Sequence, residues 1–449
     1  MYLIHIGYSH QSLNEVYRSR RHVPTKWREG CFALLRPRHS NFKNHYKFSR
    51  IMTEFFSLHF NVSCRIFSSW LDLKSVVLLD SAVCNRSARG KLIHLLSSKG
   101  LVHQNPVVLR GPNMLHWLCS RSFKVADVLF SAETKQSLFL VKYLASFGHS
   151  VRCVRFRGKC YEMEMMYLVA GCSRNLAVVR LQDVSLSYAF HALLLSNPNI
   201  QEIWVQKATC VHTGLMNDLS LHKLQLLSVQ GTEGLKGFPW AESARSDSLQ
   251  RVARDYSTFQ CDDMIALTHK CRNLRSLSCA RTRIVIGNLK LYFSGGLKLI
   301  NLSMSDTAVT DDGVLFIAQN LPCLRILNVQ KCKELTEQSL AHIAEHARQL
   351  EVLYVDIKDQ GEATESAVKE FSRKCTNITY LNINCKFILC TTTCTLSLLE
   401  GCPALHTLVV NKFENILPTS RKLCAMMRPQ LRILVHDDTT EYNVLTMPI

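Results

Sequence analysis

The sequence predicts an α/β solenoid, and two observations lead to this fold class: a recurring apolar motif and helical patterns between its copies. Segments that read approximately Leu-x-x-Leu-x-Val recur through the last two thirds of the 449-residue chain. Their interval of about 25 residues is typical of leucine-rich repeats. We therefore predict a leucine-rich-repeat solenoid over residues 151–436, with about twelve repeats that begin at Val151, Leu176, Ile200, Leu224, Leu249, Leu274, Leu297, Leu324, Leu350, Ile378, Leu405 and Leu431.

Each repeat begins with a predicted short strand. In Leu324-Arg-Ile-Leu-Asn-Val329, alternation indicates that Leu324, Leu327 and Val329 point into the core. Ile326 and Asn328 then point outward. One strand and one helix bury too little apolar surface to fold alone, so successive repeats must stack.

Helical patterns follow the strands. Thr336 precedes a run with apolar residues at 340, 343, 344 and 347, the spacing of one helix face, and Thr310 precedes a similar run. A threonine at this place is a predicted N-cap. The alternation predicts a curved solenoid with parallel strands on the concave side and helices on the convex side.

Nineteen cysteines could indicate a secreted protein, but the N-terminus has no recognisable signal peptide. We therefore expect a reducing compartment, cytoplasmic or nuclear. Five cysteines recur just before the predicted strands and are interpreted as small buried hydrophobic residues: Cys172, Cys271, Cys323, Cys375 and Cys402. The alternative is metal or disulfide chemistry. The densest cluster, Cys385, Cys390 and Cys394, lacks a paired Cys-x-x-Cys, so neither a metal site nor a cofactor is predicted.

These cysteine-containing repeats, with the acidic turn Thr310-Asp-Asp-Gly313, resemble those of the F-box and leucine-rich-repeat proteins, a ribonuclease-inhibitor-like class. The resemblance covers about 151–436. It implies the fold more strongly than the function, because many proteins with different roles share the scaffold.

A second segment, residues 55–97, resembles an F-box and predicts a small all-α domain. The matching positions are Ile66, Phe67, Leu71, Asp72, Leu73, Val83 and Cys84. The chain has Leu58-His59 where the family has Leu-Pro, and lacks the family's tryptophan near Ser87. The resemblance implies docking on the Skp-type adaptor of a cullin-RING ubiquitin ligase, through Leu58, Ile66, Phe67, Leu71, Leu73 and Val83.

The alternative is that this segment is a helical cap that covers the first repeat. Residues 98–150 are interpreted as helices that join it to the solenoid. No run of eighteen consecutive apolar residues occurs, so no membrane span is predicted. Residues 437–449 are interpreted as a C-terminal tail.

The first fifty residues are basic, with ten Lys or Arg against Glu15 and Glu29. We interpret them as a disordered arm. An organelle-targeting peptide and a nucleic-acid-binding tail are the alternatives.

The outward strand positions are the predicted target-binding surface. Arginines and aromatic residues fall there, and such residues are common at the centres of protein interfaces. A basic wall would favour an acidic protein target, with solvated surface charges as the alternative. The predicted target-binding residues are Arg155, Arg180, Trp204, Arg325, Asn328, Tyr354 and Tyr380.

Enzyme chemistry is not predicted. The sequence contains no phosphate-binding glycine loop, no Gly-x-Ser-x-Gly and no His-Glu-x-x-His. The leading hypothesis is a substrate-recognition subunit of a cullin-RING ligase of the SCF type. The alternatives are a repeat scaffold without a ligase role and, less favoured, a basic solenoid that binds nucleic acid or an acidic nuclease-like protein.

Overall fold

The structure is a computed structural model that describes residues 60–83, 86–109, 111–131, 134, 137–158, 162–210, 223–232, 248–256, 261–282, 289–293, 297–358, 362–384, 392–411 and 418–436. The chain divides into two compact units. Unit 1 comprises Met1–Ile203 and unit 2 comprises Trp204–Met447. The predicted basic arm 1–50 and the predicted tail 437–449 lie outside the described residues.

The described part of unit 1 begins with a helical segment. Helix α1 (Phe60–Arg65) continues into one π-helical turn (Ile66–Trp70), and α2 (Leu73–Ala82) and α3 (Arg86–Leu96) follow. Asp72 caps α2, because its side chain accepts a hydrogen bond of 2.6 Å from the backbone N–H of Ser75. Both α1 and α2 pack against α3, and the side chains between them are fully buried.

Strands and helices alternate through the rest of unit 1. The order is β1 (Val102–His103), β2 (Val107–Val108), α4 (Pro112–Ser120), β3 (Lys124–Val125), β4 (Asp127–Ser131), α5 (Leu138–Phe147), β5 (Cys153–Arg157), α6 (Glu162–Cys172), β6 (Val178–Gln182), β7 (Ser185–Leu186) and α7 (Tyr188–Leu195). Strand β8 (Glu202–Gln206) contains the boundary between the units.

The parallel sheet of unit 1 begins before residue 151. Strand β2 pairs with β4, and β4 pairs with β5 in a register that places Val128 beside Val154. The rings of Phe130 and Phe156 stack with their centroids 5.1 Å apart. The prediction that 98–150 is a helical linker is therefore wrong in part, because Val128 and Phe130 repeat the inward alternation of Val154 and Phe156 one repeat earlier.

Unit 2 continues the strand-then-helix pattern. Its elements are β9 (Thr209–Cys210), β10 (Leu226–Gln230), β11 (Arg251–Ala253), α8 (Cys261–Lys270), β12 (Ser276–Ser278), α9 (Leu289–Phe293), β13 (Asn301–Ser303), α10 (Asp311–Asn320), β14 (Ile326–Val329), α11 (Glu337–His346), β15 (Val352–Asp356), α12 (Glu362–Lys374), β16 (Tyr380–Asn384), α13 (Thr392–Gly401), β17 (Thr407–Asn411), α14 (Pro418–Met427) and β18 (Arg432–His436). Strands β10 to β18 lie side by side in chain order and are parallel. The predicted α/β leucine-rich-repeat fold is confirmed.

The strand register corrects two predicted repeat starts. Leu302 pairs with both Leu277 and Leu327, so that repeat begins at Leu299, two residues after the predicted Leu297. Leu408 pairs with Ile433, which places the last start at residue 430, one before the predicted Leu431. Apolar residues in both segments occur at several spacings, so spacing alone gave the wrong frame.

The predicted N-caps are confirmed. The Thr310 hydroxyl accepts from the backbone N–H of Gly313 at 3.4 Å, and the Thr336 hydroxyl accepts from that of Gln338 at 3.3 Å. Asp311 joins the two repeats, because its carboxylate accepts from the Thr336 backbone N–H at 3.0 Å and from the hydroxyls of Thr336 and Ser339. These bonds satisfy N–H groups that a helix start leaves open.

The repeat cysteines lie where the sequence placed them. Cys271, Cys375 and Cys402 are buried, Cys172 and Cys323 are half-buried, and all five are free thiols. Burial raises the pKa of both Cys375 and Cys402 to about 12, which keeps them protonated and unreactive. Of the predicted cysteine cluster, Cys394 is buried, and Cys385 and Cys390 lie outside the described residues.

Candidate functional site

The helical segment of unit 1 buries several of the predicted adaptor-binding residues. Phe67 is fully buried, Ile66 and Val83 are buried, and Leu71 and Leu73 are half-buried. Leu58 and Cys84 lie outside the described residues. The expectation that Ile66, Phe67 and Val83 offer their side chains to an adaptor is therefore wrong, because these side chains are buried in the folded chain.

The π-helical turn is held by the chain that follows the segment. His103 is buried, and its Nδ1 lies 3.2 Å from the carbonyl oxygen of Phe67. A carbonyl only accepts, so Nδ1 carries the hydrogen. The Asn105 side-chain amide donates to the Leu71 carbonyl at 3.0 Å. Burial is the main cause that lowers the pKa of His103, so the ring is neutral.

A buried carboxylate joins α2 to α4. Asp80 Oδ2 accepts hydrogen bonds from Trp117 Nε1 at 2.9 Å and from Arg121 Nε at 3.0 Å, and Arg89 lies 3.8 Å from Oδ1. A buried charge is tolerated when it is paired and hydrogen-bonded in this way. The helical segment is thus an integral part of unit 1, which fits the helical-cap alternative.

The same segment exposes other large apolar side chains. Phe60 and Val62 on α1 are 43% and 41% exposed, and Leu78 on α2 is 49% exposed. The interior of the segment is already filled by Phe67, Val76 and their neighbours. Half-buried Leu71 and Leu73 add further partly accessible apolar side chains to these three.

The outward strand positions of unit 1 carry charge. Arg155 Nε and one terminal nitrogen contact the Asp127 carboxylate oxygens at 3.0 and 2.6 Å, and Arg180 lies beside Arg155 in the strand register. Both arginines are half-buried. Burial, reinforced by the Asp127 charge, raises the pKa of the neighbouring Cys153 to about 12. Arg155 is therefore a fixed, partly accessible charge, not a mobile one.

In unit 2, three predicted target-binding residues are accessible. Arg325 is exposed and forms a 3.2 Å ion pair with Glu351 on the next repeat. Trp204 and Tyr380 are half-buried. Since Trp, Tyr and Arg are frequent in interface hot spots, these three remain predicted contacts for a protein target.

Asn328 and Tyr354 are buried, and the prediction that they are exposed is wrong. The Cα register places Asn328, Tyr354 and Asn382 side by side on β14, β15 and β16, and the Tyr354 ring lies 5.0 Å from the ring of Tyr380. Equivalent side chains on parallel strands are only about 4.8 Å apart. A large ring at such a position is therefore enclosed by its neighbours.

A row of residues with left-handed backbone follows the strands of unit 2, and no sequence pattern had indicated it. We call it the left-handed row: Lys207, Gly231, Tyr256, Arg281, Asp306 and Lys331, which have φ between 52° and 59° and recur every 24 or 25 residues. Unit 1 has Gly158 and Asp183 at the equivalent position. Glycine and aspartate are usual in this conformation, whereas Tyr, Arg and Lys are not, so only the spacing could have signalled the row.

The side chains of this row interact in sequence order. Arg281 Cζ lies 4.5 Å from the centroid of the Tyr256 ring, a cation–π contact, and Arg281 Nε lies 2.8 Å from Asp306 Oδ2. Tyr256 remains 42% exposed, and Lys207 and Lys331 are exposed. Three side chains from successive repeats therefore form one accessible, ordered group.

Neither metal ligation nor a membrane span is seen in the described part of the chain. Within it, no three or more His, Cys, Asp or Glu side chains are grouped so as to hold a metal ion. No helix among these residues has both the length and the apolar composition needed to cross a membrane.

Neither a protein-family model nor a curated protein matches the chain. Solved structures do match. An internalin from Listeria monocytogenes is 14% identical over 64% of this chain and 86% of its own, with a TM-score of 0.40. A chain of the yeast Rad7–Elc1 complex is 13% identical over 88% of this chain and 98% of its own, with a TM-score of 0.38. A chain of the TLR13–ssRNA13 complex is 14% identical over 76% of this chain and 57% of its own, with a TM-score of 0.44. The fold assignment rests on the strand register of the chain itself.

Proposed function

We propose that this chain is the target-recognition subunit of a cullin-RING ubiquitin ligase of the SCF type. The helical segment of unit 1 would bind a Skp-type adaptor, as its resemblance to an F-box implies. The supporting observation is that this segment buries Phe67 and Val76 and still exposes Phe60, Val62 and Leu78. A cap that only protects a solenoid needs a polar outer face, whereas exposed apolar side chains are suited to a partner.

The structure changes which residues we propose for this contact. Phe60, Val62 and Leu78 take the role earlier given to Ile66, Phe67 and Val83, and Leu58, Leu71 and Leu73 are retained. Arg155 and Arg180 are the proposed target contacts of unit 1 taken by itself. Trp204, Arg325 and Tyr380 are those of unit 2 taken by itself. Catalysis would belong to other subunits, in the cytoplasm or the nucleus.

Co-purification with a Skp-type adaptor tests this proposal. We expect wild type to retain the adaptor and Leu78→Asp to lose it by about tenfold or more, because a charge placed in an apolar contact is costly. Met163→Asp is the matched control, since Met163 in α6 of the same unit is also 49% exposed. Wild type that captures no adaptor, or equal losses in both variants, would reject the ligase role.

The second candidate is a repeat scaffold without an adaptor. Burial of Phe67 and the Asp80 contacts with Trp117 and Arg121 favour it, because they make the helical segment a cap of unit 1. In that case Leu78→Asp and Met163→Asp should both leave all partners bound.

A further inference from the structure

The backbone of the left-handed row is fixed by the repeat fold. Three members donate their backbone N–H to a carbonyl of the following repeat: Tyr256 to Ala280 at 3.0 Å, Arg281 to Ser305 at 2.8 Å and Asp306 to Gln330 at 2.7 Å. The conformation is therefore required at this position whichever residue occupies it. Only glycine adopts it without a steric cost.

Large side chains persist there despite that cost. Gly231 shows that the repeat accepts glycine, yet Tyr256, Arg281 and Lys331 keep residues that disfavour this backbone. Their side chains fill no interior space, because Tyr256 and Lys331 are exposed and the Arg281 side chain is 34% exposed. Strained residues that contribute little to the core are typical of functional surfaces.

The row is also ordered before any partner arrives. Arg281 is held between the Tyr256 ring and the Asp306 carboxylate, and the Lys331 backbone N–H donates to Asp356 Oδ2 at 2.8 Å. A side chain that is already fixed loses less entropy on binding. Tyrosine and arginine are also the residues most often found in interface hot spots.

The charge of the row indicates the kind of partner. Lys207, Arg281 and Lys331 are positive, and Asp306 is the one carboxylate among the six members. A basic surface favours an acidic partner. A nucleic acid fits less well, because its regularly spaced phosphates would meet Asp306 between Arg281 and Lys331. A peptide can place its acidic side chains away from that carboxylate.

We propose that the left-handed row binds an acidic segment of a protein target. Carboxylates of the segment pair with Arg281 and Lys331, and an apolar or aromatic side chain packs on the exposed face of Tyr256. This inference rests on the proposed function only in naming the partner as a target. The row lies within unit 2, and its binding needs no adaptor.

Glycine substitution tests this proposal without breaking the fold. We expect Tyr256→Gly and Arg281→Gly to leave Tm unchanged or raised, because glycine relieves the left-handed backbone. Binding of a fluorescein-labelled glutamate-rich peptide to the full chain, measured by anisotropy, should fall about tenfold or more. Asp183→Gly is the matched control, since it makes the same change at the equivalent position in unit 1 and should leave peptide binding intact.

Several outcomes would overturn the proposal. Wild type that does not bind the peptide, or binds a glutamine-substituted version equally well, excludes an acidic partner. A lowered Tm with unchanged binding makes the side chains structural. Tighter binding of a single-stranded RNA, lost in Arg281→Gly, makes the row a nucleic-acid site. The adaptor co-purification is scored separately, so its failure rejects the ligase role and leaves this measurement valid.

Discussion

Two helices of unit 1 and two helices of unit 2 begin with different kinds of residue. In unit 1, α5 and α7 begin with Leu138 and Tyr188, which are 81% and 58% exposed, and neither helix has an acidic residue in its first turn. In unit 2, α10 and α11 begin with Asp311 and Glu337. Acidic residues stabilise a helix N-terminus. The repeat fold therefore tolerates both kinds of helix start, and α5 and α7 of unit 1 lack the acidic first turn that stabilises α10 and α11.

The outward strand positions differ as well. In unit 1 they carry the Asp127–Arg155 ion pair, which is partly accessible. In the middle of unit 2 the equivalent position is neutral and buried, with Ser303, Asn328 and Tyr354 side by side in the strand register. The same strand position thus carries a partly accessible charge at Arg155 and enclosed neutral side chains at Asn328 and Tyr354, whereas the exposed charges of Arg325 and Glu351 in unit 2 lie at another position of the repeat. Substitutions in each unit can test whether these faces contribute to stability or remain available for binding.

The largest expected effect is that of Tyr354→Ala in unit 2. Removing a fully buried ring leaves a cavity and should lower the free energy of unfolding by about 4 kcal/mol. Urea unfolding measures this loss, and hydrogen exchange should place it in unit 2. Tyr380→Ala, which removes a half-buried ring, should lower the free energy of unfolding by clearly less. Equal effects would mean that Tyr354 is accessible in solution, as the sequence alone had predicted.

Asp80→Ala should have the next largest effect, in unit 1. It leaves Arg121 and Trp117 Nε1 without their buried acceptor, and removing one partner of a buried pair costs about 3 kcal/mol. Asp72→Ala removes only the exposed cap of α2 and should cost about 1 kcal/mol. If urea unfolding gave similar values for both variants, the Asp80 contacts would not be what joins α2 to α4.

A pH dependence should also separate the two units. Burial lowers the pKa of His103 in the folded chain below the ordinary value of 6.5, so the unfolded chain binds a proton more readily. The stability of unit 1 is then complete above that value and falls as the pH decreases below it. Hydrogen exchange of α1 to α3 should accelerate there, and His103→Gln should remove the dependence. Equal acceleration in unit 2 would exclude His103 as the cause.

The sequence predicted the repetitive part of this molecule well. Inward positions such as Leu327 and Leu353, and the caps Thr310 and Thr336, follow from local spacing and residue type, which a repeat fold translates directly into position. The weak repeat at Leu249 was also predicted, and Val252 pairs with Leu227 and Leu277 as expected.

Burial across neighbouring strands was not predictable in the same way. Alternation indicates the face on which Tyr354 lies, but its enclosure depends on the side chains of adjacent strands. The motif around Phe67 marked an apolar helix without showing which side chains fill its interior. Tyr256 and Arg281 gave no sign of a left-handed backbone, because that conformation is imposed by the fold and not preferred by these residues.

The smallest expected effect concerns the charged helix face of unit 2. Hydrogen bonds from Arg373 and then Lys374 are the main causes that lower the pKa of Glu370 to about 2. Their contribution to stability is present above the ordinary carboxyl pKa of 4.5 and is lost as the pH falls through the folded value. Arg373→Ala should return the Glu370 pKa toward 4.5 in an NMR titration, with little change in the free energy of unfolding, because exposed ion pairs contribute little. An unchanged pKa would show that these pairs do not persist in solution, and the contrast between the helix faces would then rest on the residues that begin the helices.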